Sequence, residues 1–448
     1  MFKRKIEEEL KIWKENLSIK KKAFVLKGLR QIGKTTSILK FANENYENVI
    51  YINFKLEQSL KLCFDDDLSV DKLITNISSS KSNCEFIANK TVLIFDEIQE
   101  CSGARASIKS FMLDGRFDII ASGSLLGIKG YNQKYSGGIP VGFEHTVYMK
   151  PMDFEEFLWA KGIDDKVISY LKNCFNNKEQ ISLAVHQSML RYFKEYLCVG
   201  GMPSVVNIFL KTNDLNQVRQ EQKDILESYK DDYGKHLNEN ENEILDKSLL
   251  LRINKVFDSI PSQLAKENKK FVYSKLSNKA TANQYEPAIQ WLCDYGLINR
   301  CYNLSCLELP LEGNKIDNIF KIYMADTGLF VSMLDEDTSY NILLGDMGIY
   351  KGAIYENIIA DTFSKLNKPL YYFSKDSGLE IDFITKYNKE LYLIEVKSTN
   401  GNTKSSKTVL SDNIKYPYAN KLIKLGECNI GQNDNILTIP YYLAFLLK

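Results

Sequence analysis

The residues best suited to chemistry open with Gly28-Leu29-Arg30-Gln31-Ile32-Gly33-Lys34-Thr35, followed by Thr36. Glycines let backbone N–H groups close around phosphate oxygens, and a helix starting just after them adds the positive end of its dipole. Lys34 supplies a compact charge for β- and γ-phosphates, and Thr35 a hydroxyl for Mg²⁺. The spacing matches the phosphate-binding pattern GxxxxGK[ST] without departure. Candidate nucleotide contacts are Gly28, Arg30, Gln31, Ile32, Gly33, Lys34, Thr35 and Thr36.

A second group lies in "KTVLIFDEIQE", where a continuous apolar run, Val92 to Phe95, ends in Asp96-Glu97. Such a run suits a parallel strand buried on both faces, and ligands of open α/β sheets bind at the carboxyl ends of strands. Asp96 is expected to hold Mg²⁺, directly or through water, and Glu97 to orient or deprotonate the attacking water. "FDIIASGS" reads as another strand, ending in Ser122 and Ser124, either of them placed to sense the γ-phosphate. ATP with Mg²⁺ is the expected cofactor.

The third group sits in "LEIDFITKYNKELYLIEVKS", Leu379 to Ser398. Side chains alternate along a strand, so Glu395 and Lys397 share one face while Ile394 and Val396 share the other. Asp382, between Ile381 and Phe383, comes from the preceding strand, and Glu356 from the helix "GAIYENIIADTFSKL". Carboxylates of this kind suit Mg²⁺ or Mn²⁺. The order of helix, three strands, helix and strand resembles the PD-(D/E)XK nuclease core. On that resemblance Asp382 and Glu395 hold an ion, with Glu356 a further ligand directly or through water. Glu356, Asp382, Glu395 and Val396 join Thr35 and Asp96 as the candidate metal residues. Lys397 orients the water and stabilises charge on the scissile phosphate. The plainer reading is a surface Glu–Lys pair beside a solvated acidic face that includes Glu380.

Positioning these groups takes several domains, since 448 residues exceed a single core. Hydrophobic content of 44% and charged content of 26% are those of an ordinary soluble globular chain. No run of about 18 apolar residues occurs, so no membrane span is expected. With no export signal after Met1, a cytoplasmic location and reduced thiols are expected for the nine scattered cysteines. Only three histidines are present, which removes most zinc-enzyme and histidine-based nuclease chemistry. Net charge is +1, but Met1–Lys22 holds eight basic and four acidic residues, and Thr399–Leu425 five lysines and one aspartate. Either stretch offers contacts to a phosphate backbone or a solvated surface. Lys404 and Lys407 are further candidates for backbone contact.

"GLRQIGKTT", "LIFDEIQE", "ASGSLLG", "MKPMDFEEFL", "VGGMPSVV", "YMADTGLF" and "GAIYENIIADTF" follow one another in the order seen in a family of archaeal and bacterial AAA-type ATPases. The chain resembles that family over nearly its whole length, the tail being a domain long described as of unknown function. The resemblance implies a multidomain α/β fold: a P-loop parallel sheet with a helical lid, a winged-helix-like segment and a PD-(D/E)XK nuclease-like α/β domain. The expected boundaries are a basic N-terminal helix at 1–22, the ATPase domain at 23–150, the lid at 151–247, the winged-helix-like segment at 248–317 and the nuclease-like domain at 318–448. Ring ATPases complete each site with a basic finger from a neighbouring subunit. The family pattern sets a basic residue after Gly142, where Phe143 stands. Lys129 or Lys134 are weaker substitutes, and Arg105 and Arg116 are read as surface residues. The would-be recognition helix around "QYEPAIQWLCDYGLI" carries Glu286 and Asp294 and no arginine, which suits packing better than base reading.

The function expected is ATP-driven DNA processing: an ATPase, in a homo-oligomer such as a hexameric ring, joined to a metal-dependent endonuclease acting on branched or junction DNA. The alternative is a nucleotide-gated DNA- or protein-binding switch whose nuclease-like tail is inactive.

Overall fold

The computed structural model describes residues 1–124, 140–238, 243–265, 269–397 and 404–448, without the side chains of 233–238 and 243–246. The chain divides into two compact units, Met1–Lys150 and Pro151–Lys448.

In the first unit, helix α1 (Ile6–Glu15) precedes β1 (Ala23–Gly28), α2 (Lys34–Asn45), β2 (Asn48–Asn53), α3 (Val70–Ser80), β3 (Thr91–Asp96), α4 (Ser102–Asp114), β4 (Asp118–Gly123) and β5 (Glu144–Met149). The strands lie in the order β2-β3-β4-β1-β5, every neighbour parallel. All six residues of β1 and of β3 are buried, as their apolar runs require in a sheet covered on both faces. One face is filled by aromatics meeting edge to face: Phe64 lies 5.5 Å from Phe54 and 5.6 Å from Phe95 between ring centroids. Strand β2, absent from the expected elements, is the edge strand beside β3.

The N-terminal segment is not the free basic arm that its charge allows. Arg4 is buried and donates to the carbonyls of Ile32 and Lys150, each at 2.7 Å. Lys40 pairs with Glu7, and the Trp13 ring packs on Phe24. The buried face of α1 (Ile6, Leu10 and Trp13) is thus committed to the domain, with Trp13 on β1 and Glu7 on α2.

The second unit joins a helical half to one eight-stranded sheet. Helices Phe154–Ala160, Asp165–Asn177, Leu183–Val199, Pro203–Thr212, Leu215–Asn238, Glu243–Leu264 and Ala282–Tyr295 come first. Strands β6 (Ile298–Leu304), β7 (Lys315–Met324), β8 (Leu370–Ser374), β9 (Glu380–Tyr387), β10 (Glu390–Val396), β11 (Leu422–Gly426), β12 (Gly431–Asn433) and β13 (Ile436–Pro440) follow. Their order is β12-β13-β11-β10-β9-β8-β6-β7. β8, β9 and β10 form an antiparallel meander, and β11 runs parallel to β10 after the helix Lys404–Ser411.

This topology corrects one boundary. β6, inside the expected winged-helix-like segment at 248–317, pairs in parallel with β8 and antiparallel with β7, so it belongs to the same sheet as the tail. The expected division between residues 317 and 318 falls inside β7. A buried strand cannot leave its neighbours without orphaning a ladder of N–H and C=O groups, so the two segments are one structural piece.

Two stretches with no assigned chemistry meet inside this unit. Asp326 caps the helix Thr327–Ser332, accepting from the Leu329 N–H at 3.0 Å. The same carboxylate accepts the Gly201 N–H at 2.7 Å. Gly201 and Gly328 lie where a Cβ would stand 2.1 Å from the Met152 carbonyl oxygen and 2.4 Å from that of Val199. The "VGGMP" and "ADTG" stretches are therefore a backbone-to-backbone seam.

Candidate functional sites

The phosphate loop is built by the turn from β1 into α2. Gly33 takes φ 89° immediately before the helix, a left-handed conformation that favours glycine, and Gln31 also has positive φ at 64°. Lys34 is buried at the first position of α2 and donates to the carbonyls of Gly28 at 3.1 Å and Leu29 at 2.6 Å. Burial pushes its ammonium down to about 8; Glu97 and Asp96 oppose that shift and nearby Arg30 adds to it. Ile32 is buried, whereas Gln31 and Thr36 are exposed around the loop.

Asp96, at the end of β3, is the hub. Its Oδ2 accepts from Thr35 Oγ1 at 3.0 Å, Tyr51 Oη at 2.7 Å and Asn53 Nδ2 at 3.2 Å. Its Oδ1 accepts from the Ser122 hydroxyl and from the Glu97 N–H at 3.1 Å. A carboxylate held by so many donors is fixed in orientation. Glu97 itself sits at φ 51°, left-handed, and its carboxylate accepts from the Gln99 amide. A carboxylate and a hydroxyl side by side are the hard oxygen donors Mg²⁺ prefers, so Asp96 and Thr35 fit that ion.

Of the serines, Ser122 touches Asp96, while Ser124 is buried just beyond the strand end. Sequence reasoning missed Tyr51 and Asn53, since polar residues on a part-buried edge strand carry no motif. Arg105 is not the surface residue expected: it is buried and donates from Nε to Glu144 at 3.1 Å. Arg116 is partly exposed and pairs with Asp71 and Asp114. Phe143 packs against the sheet's core, and Lys129 and Lys134 lie outside the described residues.

The second site is the corner where the helix Lys351–Lys365 crosses β7, β9 and β10. Lys397 meets Glu395 here, and Glu356 and Glu395 lie close enough for their charges to act on Asp382. Lys397 Nζ lies 2.5 Å from Glu395, and Asp382 accepts the Val396 N–H at 2.7 Å. Val396 therefore enters through its backbone. Burial first, then the charges of Glu356 and Glu395, push the Asp382 carboxyl up to about 8. Burial would lower Lys397, but its contact with Glu395 outweighs that and raises it. Glu395 is buried, so the polar face of β10 is covered rather than open to water.

Three neighbours were not foreseen. Lys269 contacts Glu356 at 2.8 Å, and the Tyr323 hydroxyl donates to the same carboxylate at 2.9 Å. Lys321, on β7, lies 3.6 Å from Glu356 and 2.6 Å from Glu380, with no exposed side-chain surface. Burial would raise Glu356, yet Lys321 and Lys269 hold it below its ordinary value. Glu380 is thus an ion-pair partner rather than part of a solvated face. A lysine on a distant strand gives no local signal, which is why the sequence concealed it.

The arrangement does not fit a divalent ion as it stands. Among the described residues no three His, Cys, Asp or Glu side chains gather closely enough to hold one. That includes Cys301 and Cys306, the nearest pair of thiols in sequence. Among the described residues, no helix is long and apolar enough to cross a membrane. Glu286, on the helix Ala282–Tyr295, pairs with Arg300 at 2.5 Å, and Lys404 and Lys407 are exposed on the helix Lys404–Ser411.

Residues 20–158 match the AAA domain family model, and the first unit carries an AAA-type P-loop ATPase domain. Residues 190–340 and 351–443 match two models, each described as a domain of unknown function. An uncharacterized protein of Methanocaldococcus jannaschii is 25% identical over 411 residues, covering 88% of this chain and 80% of that protein. Among solved structures, the Aeropyrum pernix ORC2 protein in ADPNP–ADP complexes aligns at 11% identity and TM-score 0.34, covering 77% of this chain and 93% of that one. A Pyrococcus horikoshii signal transduction ATPase with a tetratricopeptide repeat sensor aligns at 12% identity and TM-score 0.26, covering 79% of this chain and 45% of that one. Superpositions this loose carry no inference about function.

Proposed function

We propose that the chain binds and hydrolyses ATP in its first unit, with Gly28 to Thr36 around the phosphates and Glu97 as the base. The observation that carries this reading is the contact of Thr35 with Asp96, beside a glutamate whose backbone turns sharply off the same strand end. Asp96 and Thr35 would hold Mg²⁺, which on binding neutralises phosphate charge. Lys34 exchanges its two loop carbonyls for phosphate oxygens, and release from those carbonyls is the local rearrangement nucleotide binding demands. Glu97 accepts the proton of the attacking water, and Gln99 orients its carboxylate. Ser122 and Ser124, at the end of β4, would sense the terminal phosphate.

The test is Glu97→Gln against Lys34→Ala. Glu97→Gln should retain nucleotide affinity and lose phosphate release by about 100-fold or more. Lys34→Ala should lose binding itself. Hydrolysis by Glu97→Gln at the wild-type rate would sink the assignment.

A second reading is supported by Asp382, Glu395 and Lys397 on or just after the meander β8-β9-β10, with Glu356 facing them from the helix Lys351–Lys365. The tail acts on DNA phosphodiesters, branched or junction DNA being the substrate class and a ring of six copies the assembly. Lys397 would stabilise charge on the scissile phosphate. Labelled linear, single-stranded, forked and four-way DNA, offered with Mg²⁺ and then Mn²⁺ to wild type and Lys397→Ala, decides the matter. Cutting by wild type alone supports the reading. No cutting by folded, ATP-binding protein points to the nucleotide-gated switch with an inactive tail.

A further inference from the structure

Four carboxylates and three ammonium groups make up the corner cluster: Glu356, Glu380, Asp382 and Glu395 against Lys269, Lys321 and Lys397. Charges removed from water must be paired, and here lysine side chains pair Glu356, Glu380 and Glu395 while Asp382 accepts the Val396 N–H. Lys321 is the most confined of the three. Its ammonium has no exposed surface, bridges Glu356 at 3.6 Å and Glu380 at 2.6 Å, and lies 4.8 Å from the centre of the Tyr372 ring. Lys269, by contrast, reaches Glu356 from just before the sheet, and Lys397 touches only Glu395 among the acids. A cation fixed between two carboxylates against an aromatic face stands where a metal ion would have to stand to join those same carboxylates.

We propose that Lys321 is the resident cation of this cluster: its ammonium fills the nest between Glu356 and Glu380, and a divalent ion enters that nest only when the lysine is removed. The lysine thereby supplies, permanently and without exchange, the positive charge that these acids need. The inference concerns the same residues as the nuclease reading but does not depend on cutting.

The probe is Mn²⁺, titrated into the full chain in the absence of nucleotide, with wild type and Lys321→Met compared by calorimetry. Methionine keeps the unbranched stem, one atom shorter, and removes the charge. The variant should bind one more Mn²⁺ per chain than wild type, because a like charge no longer fills the nest and repels the ion. Unchanged stoichiometry in a folded variant would overturn the proposal. Should Lys321→Met be too unstable to titrate, melting with and without Mn²⁺ replaces calorimetry, since a ligand of the native state raises its midpoint. A rise for the variant well beyond that of wild type supports the proposal, and equal shifts overturn it. The DNA assay separates the two ideas. Gain of Mn²⁺ by Lys321→Met with no cutting by wild type keeps the resident lysine and ends the nuclease reading. Cutting by wild type with no gain of Mn²⁺ does the reverse.

Discussion

The hydroxyl of Tyr51, on an edge strand, donates to Asp96 across 2.7 Å, and Asn53, two residues on, donates to both of them. Alternation puts Tyr51 and Asn53 on the same face of β2, and parallel register sets Asn53 opposite Asp96. The edge strand therefore holds the acid that is proposed to carry Mg²⁺. Tyr51→Phe keeps the ring and deletes one donor, so about 1 kcal/mol of orientation should be lost. That corresponds to a fall of roughly fivefold in kcat/KM for ATP hydrolysis. Steady-state phosphate release would show it, and an unchanged value would mean that the remaining donors suffice.

Arg4 ties the N-terminal segment to the phosphate loop through the Ile32 carbonyl and to the end of β5 through Lys150. Its guanidinium is buried, and truncation leaves two carbonyls without that donor. Arg4→Ala should cost about 2–3 kcal/mol in the first unit. ATP affinity should weaken as well, because the loop loses an anchor at Ile32. Urea unfolding with and without nucleotide measures both effects. Loss of stability with full affinity would confine Arg4 to packing.

The seam between Gly200 and Gly328 leaves no room for a side chain. A Cβ on Gly328 would stand 2.4 Å from the Val199 carbonyl oxygen and 2.5 Å from the Gly200 nitrogen, both backbone atoms that cannot swing aside. Gly328→Ala should therefore destabilise the second unit by about 2–3 kcal/mol. Gly313→Ala is a control, because its nearest neighbour would be a proline carbon at 3.8 Å. Equal denaturant midpoints for the two variants would contradict the close approach.

How far the sequence discloses such features follows from the range of the forces involved. Strands β1, β3, β8, β9, β10 and β11 were legible because each is an apolar or alternating run bounded by turn residues. The phosphate loop was legible because its chemistry is contiguous, Gly28 through Thr35. Lys321 and Lys269 were not, since Lys321 meets Glu356 only through sheet order and Lys269 from a distant connecting segment, and nothing near either residue in sequence hints at the partner. Tyr51 and Asn53 were hidden for the same reason. The glycine stretches were visible as motifs, yet their meaning lay in contact with Asp326, 125 positions along the chain from Gly201. The wing-like β6 misled because a strand after two helices has the same local pattern whether it ends a small domain or begins a sheet.

Asp361 allows a prediction on pH. It lies buried on the helix Lys351–Lys365, 3.0 Å from Lys365, with Thr327 donating to it at 3.3 Å and Asp326 nearby. Burial pushes its carboxyl up from 3.8 to about 7; Lys365 opposes that shift and Asp326 adds to it. The folded state therefore holds a proton that the unfolded chain releases between those two values. Stability then falls as pH rises from about 4 to about 7, because the unfolded state binds fewer protons over that range. The ceiling on this loss is about 4 kcal/mol, at about 1.4 kcal/mol for each unit of pKa. Asp382, pushed up to about 8 in the same unit, contributes with the same sign, so wild type alone cannot separate them. Asp361→Asn can, because the amide keeps the volume and an acceptor for Lys365 but carries no charge to desolvate. Its midpoint in urea should change less between about pH 5 and pH 7 than that of wild type. Parallel pH profiles for the two proteins would show that Lys365 already holds Asp361 ionised across that range.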